Sequence, residues 1–417
     1  MSVGGDAQDA PNGALKKGGY RQIIGIGLGR TLLSGSFALV SIAMQEILLK
    51  INRNDLTKMS RFGSRITFVN TLLSFVFQPY TGALMDRYGR KPFLVYGALL
   101  AGVLRGQVGL NPNAFFYSLY RVLIPIVYQP WFPAFRATLS DLLDRRSDEY
   151  TQTVQVIEWC ASIMRLTSLW LMKNYLSAEW GAILAGIYGV LGSAILSVCV
   201  DETLQEEDKR PIQWKALSSP LAPVRFFSKS QDLTKLGILN IVTSIPYYNM
   251  TLSQYRRQKF GWNMKDMANQ QIYVILFNLL SPVLVLRVLR LLKNRGAVVL
   301  EERISGLQSL FNIFNSDDRF AWVTTFLAAF QFGDTGFSRE LAHCAKRCDC
   351  GEGEQEAAMA NASLPLQLVL PLMYTEMYIY FEKRWNFIGA PMYMCAALHV
   401  LNSEVLVPAM WPTGKDG

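Results

Sequence analysis

The chain is short of charge: only 18% of its 417 residues are Asp, Glu, Lys or Arg, where a water-soluble domain carries about a quarter. It has just two histidines, His343 and His399, and its six cysteines follow no regular spacing. The charge deficit excludes an ordinary hydrated surface, and the cysteine pattern offers no disulfide framework. No nucleophile, base or metal-ligand arrangement is recognisable, so neither an enzyme nor a cofactor is expected. The first 19 residues are rich in Gly, Ala, Asp and Asn and lack an apolar stretch, which reads as a disordered cytosolic tail and not as a signal peptide.

What the chain has instead is apolar length. Hydrophobic residues make up 51%. Uncharged runs of 19 residues or more occupy Ile66 to Met85, Trp180 to Val200, Leu236 to Tyr255, Met267 to Leu286, Ala357 to Thr375 and Trp385 to Ser403. Each can cross the roughly 30 Å of bilayer hydrocarbon as a helix, the form that satisfies its own backbone there. Four further segments, near 23–49, 93–109, 114–135 and 151–172, carry one or two ionisable groups, and Phe320 to Gly333 is a shorter run of 14. The expectation is an all-α polytopic membrane protein with about 10–12 transmembrane helices.

The net charge of +9 sits in short loops between spans, where it sets topology and does not suggest nucleic-acid binding. With the tail inside and each span crossing once, the segments Asp86 to Lys91, Arg136 to Arg146, Lys209 to Lys235 and Arg287 to Arg295 fall inside, and inside segments together hold more Lys and Arg than outside ones. Two outer groups break the rule: Lys50, Arg53, Lys58, Arg61 and Arg65, then Arg256, Arg257, Lys259 and Lys265. They read either as basic chains snorkelling to the interface or as an electropositive vestibule concentrating an anion.

Between two apolar stretches lies Gly82-x-x-x-Asp86-Arg87-x-Gly89-Arg90-Lys91. It resembles the loop signature that the major facilitator superfamily carries between its second and third helices. Glycine permits a tight turn, Asp86 can accept hydrogen bonds or pair with arginine, and the basic residues suit anionic headgroups. The resemblance implies a conformational latch whose charge contacts differ between inward-open and outward-open states, with Asp141 facing Arg90, or Asp86 facing Arg136. The linker Asp201-Glu202-Thr203-Leu204, with Arg210-Pro211 and Ser219-Pro220-Leu221, is similar to that of the tetracycline-efflux and drug:proton antiporter groups. The resemblance holds from about 24 to 295, fades, and recovers from about 351 to 412. Departures are clear. Family antiporters follow their helix-four arginine with glycine, whereas Arg121 is followed by Val122; a Gly-Pro-rich fifth-helix motif is replaced by a stretch carrying Glu158, Trp159 and Arg165.

The implied organisation is a tail at 1–22, a six-helix half at 23–200, a cytosolic linker at 201–235, a second half at 236–412 and a short tail at 413–417. The weak region is 296–356. A span over Gly296 to Phe314 must bury Glu301, Glu302 and Arg303, each costing roughly 2.5–3.5 kcal/mol at mid-bilayer. Either it is re-entrant or cytosolic, or neighbouring helices shelter the charges. In the same region His343, Cys344, Cys348 and Cys350 are candidate metal ligands at a spacing that fits no common zinc pattern. Lys346 and Arg347 point instead to reactive thiols.

Charges within spans are the candidate substrate or proton residues: Arg121, and Glu158 with Arg165, seven positions apart on one helix face. Arg30 is expected to snorkel to the inner face. Tyr248, Asn278 and Glu376 are the candidates in the second half. The glycines 25, 27 and 29 serve close helix packing. The functional expectation is a secondary transporter, a monomer in the lipid, moving a small organic solute by alternating access, with proton-coupled export implied by the resemblance. An organic-anion carrier or uniporter is the alternative, and a non-transporting receptor or scaffold another.

Overall fold

The computed structural model describes residues 19–128, 130–143, 148–204, 209, 222–246, 249–279, 281–314, 319–327, 330, 333–348 and 362–412. All regular structure among them is helical. The first half comprises α1 (Gly19–Ile51), α2 (Leu56–Tyr88), α3 (Lys91–Leu110), α4 (Ala114–Val127) with α5 (Trp131–Leu142), α6 (Asp148–Asn174) and α7 (Ala178–Cys199). In the second half, α8 (Gln231–Thr243) and α9 (Asn249–Phe260) form one broken crossing. α10 (Met264–Asn278) continues into α11 (Ser281–Phe314), which Lys293, at φ 58 and ψ 178, divides into two helical pieces. Then come α12 (Arg319–Leu327), α13 (Gly333–Arg347), α14 (Leu364–Trp385), α15 (Ala390–Leu401) and α16 (Val407–Met410), the last two joined by a π-helical turn at Asn402–Leu406. α1 starts inside the segment assigned to the tail, and the expected linker already contains a 3₁₀ helix, Ala222–Lys229.

Breaks occur where the sequence puts helix-incompatible residues. Pro130 caps α5 and separates it from α4, because proline removes an amide donor and crowds the preceding turn. Asn113, Ser177 and Ser230 each accept an N–H of their own first turn. Asp55 caps α2 in the same way, and the Lys58 amide holds its carboxyl below the ordinary value. Among the described residues, four helices are by themselves long and apolar enough to cross a membrane: Gly19–Ile51, Lys91–Leu110, Ala178–Cys199 and Ala390–Met410. Their outward faces carry Leu100, Val103, Ile187, Val190 and Val198, all exposed, which suits hydrocarbon and not water.

The first half packs on glycine. α1 meets α7 where Gly25 lies against Cys199 and Gly29 against Leu196, and α3 meets α7 through Gly102, Gly106, Gly186 and Gly189. Without a driving force from water, such close backbone approach is how helices associate in lipid.

A helix forms over Gly296 to Phe314 as the second piece of α11, and two of its three charges meet partners on neighbouring helices. Glu302 is 7% exposed and accepts hydrogen bonds from Asn402 Nδ2 at 3.0 Å, with His399 Nδ1 at 2.9 Å. Arg303 forms a two-pronged pair with Glu404 at 2.7 and 3.1 Å. Partners on the last span therefore meet two of the three charges that a solitary helix could not insert.

Candidate functional site

The two ends of the bundle differ. At the end carrying the Gly82–Lys91 loop, Gly89 takes φ 89 and donates its amide to Met85 O. A side chain there would run into the Glu202 carboxylate. That carboxylate accepts the amides of Arg90 at 2.9 Å and Lys91 at 3.0 Å, placing a negative charge at the N-terminus of α3. Arg90 pairs with Asp141 and donates to Ala137 O at 3.1 Å, while Thr203 Oγ1 donates to Asp141 at 2.7 Å. Arg90 and Asp141 are one of the two latch pairs expected. The side chains of Asp86 and Gly82 lie outside the described residues, and Arg87 and Arg136 are exposed. Glu202, expected only as linker, is the residue that ties α3 to the end of α7.

At the far end the halves are stitched together. Ser60 donates to Gln254 at 2.8 Å, Arg257 pairs with Glu46 at 2.8 Å, Lys173 donates to Asn269 at 3.0 Å and Arg61 pairs with Glu376 at 3.3 Å. Trp262, Met267, Ala268 and Ile275 of the second half join the apolar cluster of Ile47, Met59, Leu169 and Met172. The outer basic groups are thus largely engaged. Lys50 holds Glu179 at 2.7 Å, Lys58 holds Asp55 at 3.3 Å, and Lys259 donates to Asn312 O and Ile313 O at 3.3 and 2.8 Å, at the negative end of α11. Glu376, a substrate candidate, pairs here with Arg61.

On the latch side of this seal, at mid-depth, a cavity opens between α6 and α10, lined by Gln155, Glu158, Trp159, Ser162, Arg165, Ile275 and Leu279. Glu158 and Arg165 share it, as their spacing predicted. Behind Glu158 stands Arg30, a partner the sequence did not suggest. Instead of snorkelling, its side chain is only 14% exposed and donates Nε and Nη2 to Glu158 Oε1 at 3.0 and 2.9 Å. Ser34 takes its Nη1 at 2.9 Å, and Phe132 lies 5.2 Å from it. Burial explains the correction: a carboxylate at that depth is a stronger attraction than the interface. Arg165 donates to Ser162 at 2.7 Å and stands 3.9 Å from Glu158, but its buried Nε finds no partner among the described residues. Two guanidinium groups therefore share one carboxylate.

Other candidates fall elsewhere. Arg121 donates to Thr67 on α2 at 3.2 Å, not to the Glu158 cluster. Tyr248, and the side chain of Asn278, lie outside the described residues. His343 is exposed while Cys344 is 1% exposed, so neighbours in sequence turn to different surroundings; Cys350 lies outside the described residues. Arg347 donates to the Cys344 thiol at 3.1 Å, but Cys344 is buried and lacks the exposure that a reactive thiol needs. Arg105, at the edge of an apolar run, is 1% exposed. It donates to Ser36 at 2.8 Å and lies 4.9 Å from the Tyr128 ring.

A helical bundle with four helices, among the described residues, long and apolar enough to cross a membrane, and with a charged cavity inside it, defines an all-α polytopic membrane protein. A profile of the Major Facilitator Superfamily matches residues 26–333, and the chain belongs to that family. Hippocampus abundant transcript-like protein 1 of Mus musculus is 25% identical over 273 residues, 63% of this chain and 52% of that protein. The Homo sapiens protein of that name is 24% identical over 63% of this chain and 53% of its own length. The chain spans about half the length of these curated relatives. Among solved structures, the human organic anion transporter MFSD10 (TETRAN) superposes with TM-score 0.69 at 15% identity, covering 94% of this chain and all of that one (100%). The nucleoside transporter NupG gives 0.69 at 9% identity over 96% of this chain and 100% of that one. These likenesses establish the fold alone. The expected nearness to tetracycline-efflux antiporters finds no support among these curated relatives.

Proposed function

We propose that this chain is a secondary transporter that moves a small organic anion by alternating access. One observation carries the reading: Arg165 faces the cavity with an unpartnered buried Nε and shares Glu158 with Arg30. Two cations against one anion leave the site with a net positive charge. Closing the cavity around that charge would cost several kcal/mol in desolvation; a bound monoanion neutralises it. The substrate's carboxylate or sulfonate takes Arg165 by charge-assisted hydrogen bonds, Glu158 stays on Arg30, and Trp159, Ile275 and Leu279 receive the apolar body. Occupancy thus permits sealing at the latch end and release of the far-end gate. Glu158 is also where a proton would exchange if export is proton-coupled, because a protonated Glu158 lets go of both arginines. Against the scaffold alternative, the described residues of the doubtful region include helices at Arg319–Leu327 and Gly333–Arg347, as well as the second piece of α11. A shared fold with an organic anion transporter agrees with this reading but does not carry it.

Counterflow in proteoliposomes tests the proposal. An aromatic carboxylate should exchange, and its neutral amide should not. Arg165→Ala removes a hydrogen-bonded charge worth about 1.5 kcal/mol or more, so exchange should fall roughly tenfold. Glu158→Gln should abolish any acceleration by a pH gradient. Equal flux of acid and amide, or undiminished flux in Arg165→Ala, would refute the anion site.

A further inference from the structure

The break in α11 stands in the second half where the Gly82–Lys91 loop stands in the first, and the two are charged differently. In the first half the cations have carboxylates built beside them: Arg90 pairs with Asp141, and Glu202 accepts the Arg90 and Lys91 amides. In the second half, Leu279 to Leu300 holds Arg287, Arg290, Lys293 and Arg295 without one Asp or Glu. Arg287, Arg290 and Lys293 are exposed, and none of the three has a hydrogen-bond or ion-pair partner among the described residues. Arg295 donates to Pro408 O at 3.4 Å. Glu340 of α13 accepts from Asn294 at 3.0 Å and pairs with none of these cations. The break lies at the latch end, because α10 starts at the far-end seal, where Asn269 meets Lys173, and the second piece of α11 returns there, where Lys259 holds Ile313 O.

We propose that this segment binds an anionic phospholipid, whose phosphate supplies the negative charge that the second half does not encode. Two observations favour a lipid over a soluble anion. Leu291 is 81% exposed and Leu292 43%, and Arg287, Arg290 and Leu291 share one helix face at spacings of three and four. A headgroup held by the arginines therefore brings its acyl chains beside the leucines, and burying them against lipid adds an apolar gain that a free phosphate lacks. Basic and apolar side chains alternating at a helix end mark the level of the headgroups. The second observation is the backbone at Lys293, whose φ 58 and ψ 178 fall in a region kept almost wholly to glycine. Backbone of this kind concentrates at ligand clamps, and here it sets an exposed ammonium at the turn between the two pieces of α11. A bound headgroup would bridge those pieces, as Glu202 ties α3 to the end of α7. The site is separate from the cavity and needs no substrate.

Native mass spectrometry of the full chain, with phosphatidylglycerol and phosphatidylcholine of the same acyl chains supplied in equal amounts, reads the site without any transport. Phosphatidylglycerol adducts should predominate. Arg287→Gln with Arg290→Gln should cut that preference more than tenfold, since each cation near an anionic headgroup contributes about fivefold. Lys293→Gly removes one cation and gives the turn the residue its backbone suits. It should lower the preference about fivefold while thermal stability stays equal or rises, which separates lipid binding from folding. Arg339→Gln with Lys346→Gln removes two other exposed cations, on α13, and should leave the preference unchanged. Excess glycerol 3-phosphate should not displace the lipid. Equal retention of both lipids would overturn the proposal, as would an equal loss in the α13 variant, which means diffuse charge attraction, or displacement by glycerol 3-phosphate, which means a soluble-phosphate site.

Discussion

Joining cysteines placed at Arg61 and Glu376 with a bifunctional methanethiosulfonate is expected to cut transport more than tenfold, with full recovery on reduction. The pair bridges α2 and α14 across the halves at 3.3 Å, and both side chains are accessible, at 42% and 62% exposure. Around it Ser60 with Gln254, Arg257 with Glu46 and Lys173 with Asn269 close the same end. The exposed Arg61–Glu376 pair is worth at most about 1 kcal/mol, so it can part thermally. A covalent bridge cannot, and alternating access would stop with the cavity facing the latch end. The experiment belongs in a Cys160→Ser background, because Cys160 is the exposed native thiol among those described. Unaltered flux through fully cross-linked protein would mean that the far end does not gate transport.

The second large effect is on folding. Gly102→Val should abolish recovery of monodisperse protein, or lower its stability by about 3 kcal/mol, the upper end of the usual cost of overpacking. A Cβ at Gly102 would stand 2.8 Å from Gly186 O and 2.9 Å from Val190 N, and one at Gly189 would stand 2.6 Å from Gly102 Cα. These obstacles are backbone, which cannot rotate away as a side chain can. Gly106 is the internal control: a Cβ there meets Gly186 Cα at 3.9 Å, ordinary contact. Gly106→Ala should therefore fold with near-normal yield. Thermal unfolding followed by size-exclusion chromatography in detergent separates the two, and equal yields would contradict the close α3–α7 packing.

Much of the architecture was legible in the sequence because hydrocarbon imposes a one-dimensional rule. A run such as Trp180 to Val200 needs no partner to announce itself. The loop from Gly82 to Lys91 identified the family for a similar reason, since its turn and charges are contiguous. Failures came where the deciding partner is distant. Summing insertion costs along Gly296 to Phe314 made that span doubtful, because His399, Asn402 and Glu404 are invisible to a local sum. Arg30 was assigned to the interface because Glu158, which holds it, lies 128 positions away. Glu202 looked like linker, although its carboxylate accepts the Arg90 and Lys91 amides. Periodicity did bring Glu158 and Arg165 together, for they share one helix. It could not show that a second arginine would leave the cavity cationic, which is the property on which the substrate reading depends.

The central claim is that the cavity between α6 and α10 is a substrate site reached from one side at a time. Trp159 lines it and is 50% exposed, so a Trp159→Cys variant in the Cys160→Ser background reports directly on access. In sided vesicles, a membrane-impermeant thiol reagent should label this cysteine from the latch side while the far-end gate is held shut by the Arg61–Glu376 cross-link. A saturating aromatic carboxylate should protect it, and its neutral amide should not. Labelling from the far side under the same cross-link, or labelling indifferent to the anion, would contradict the account.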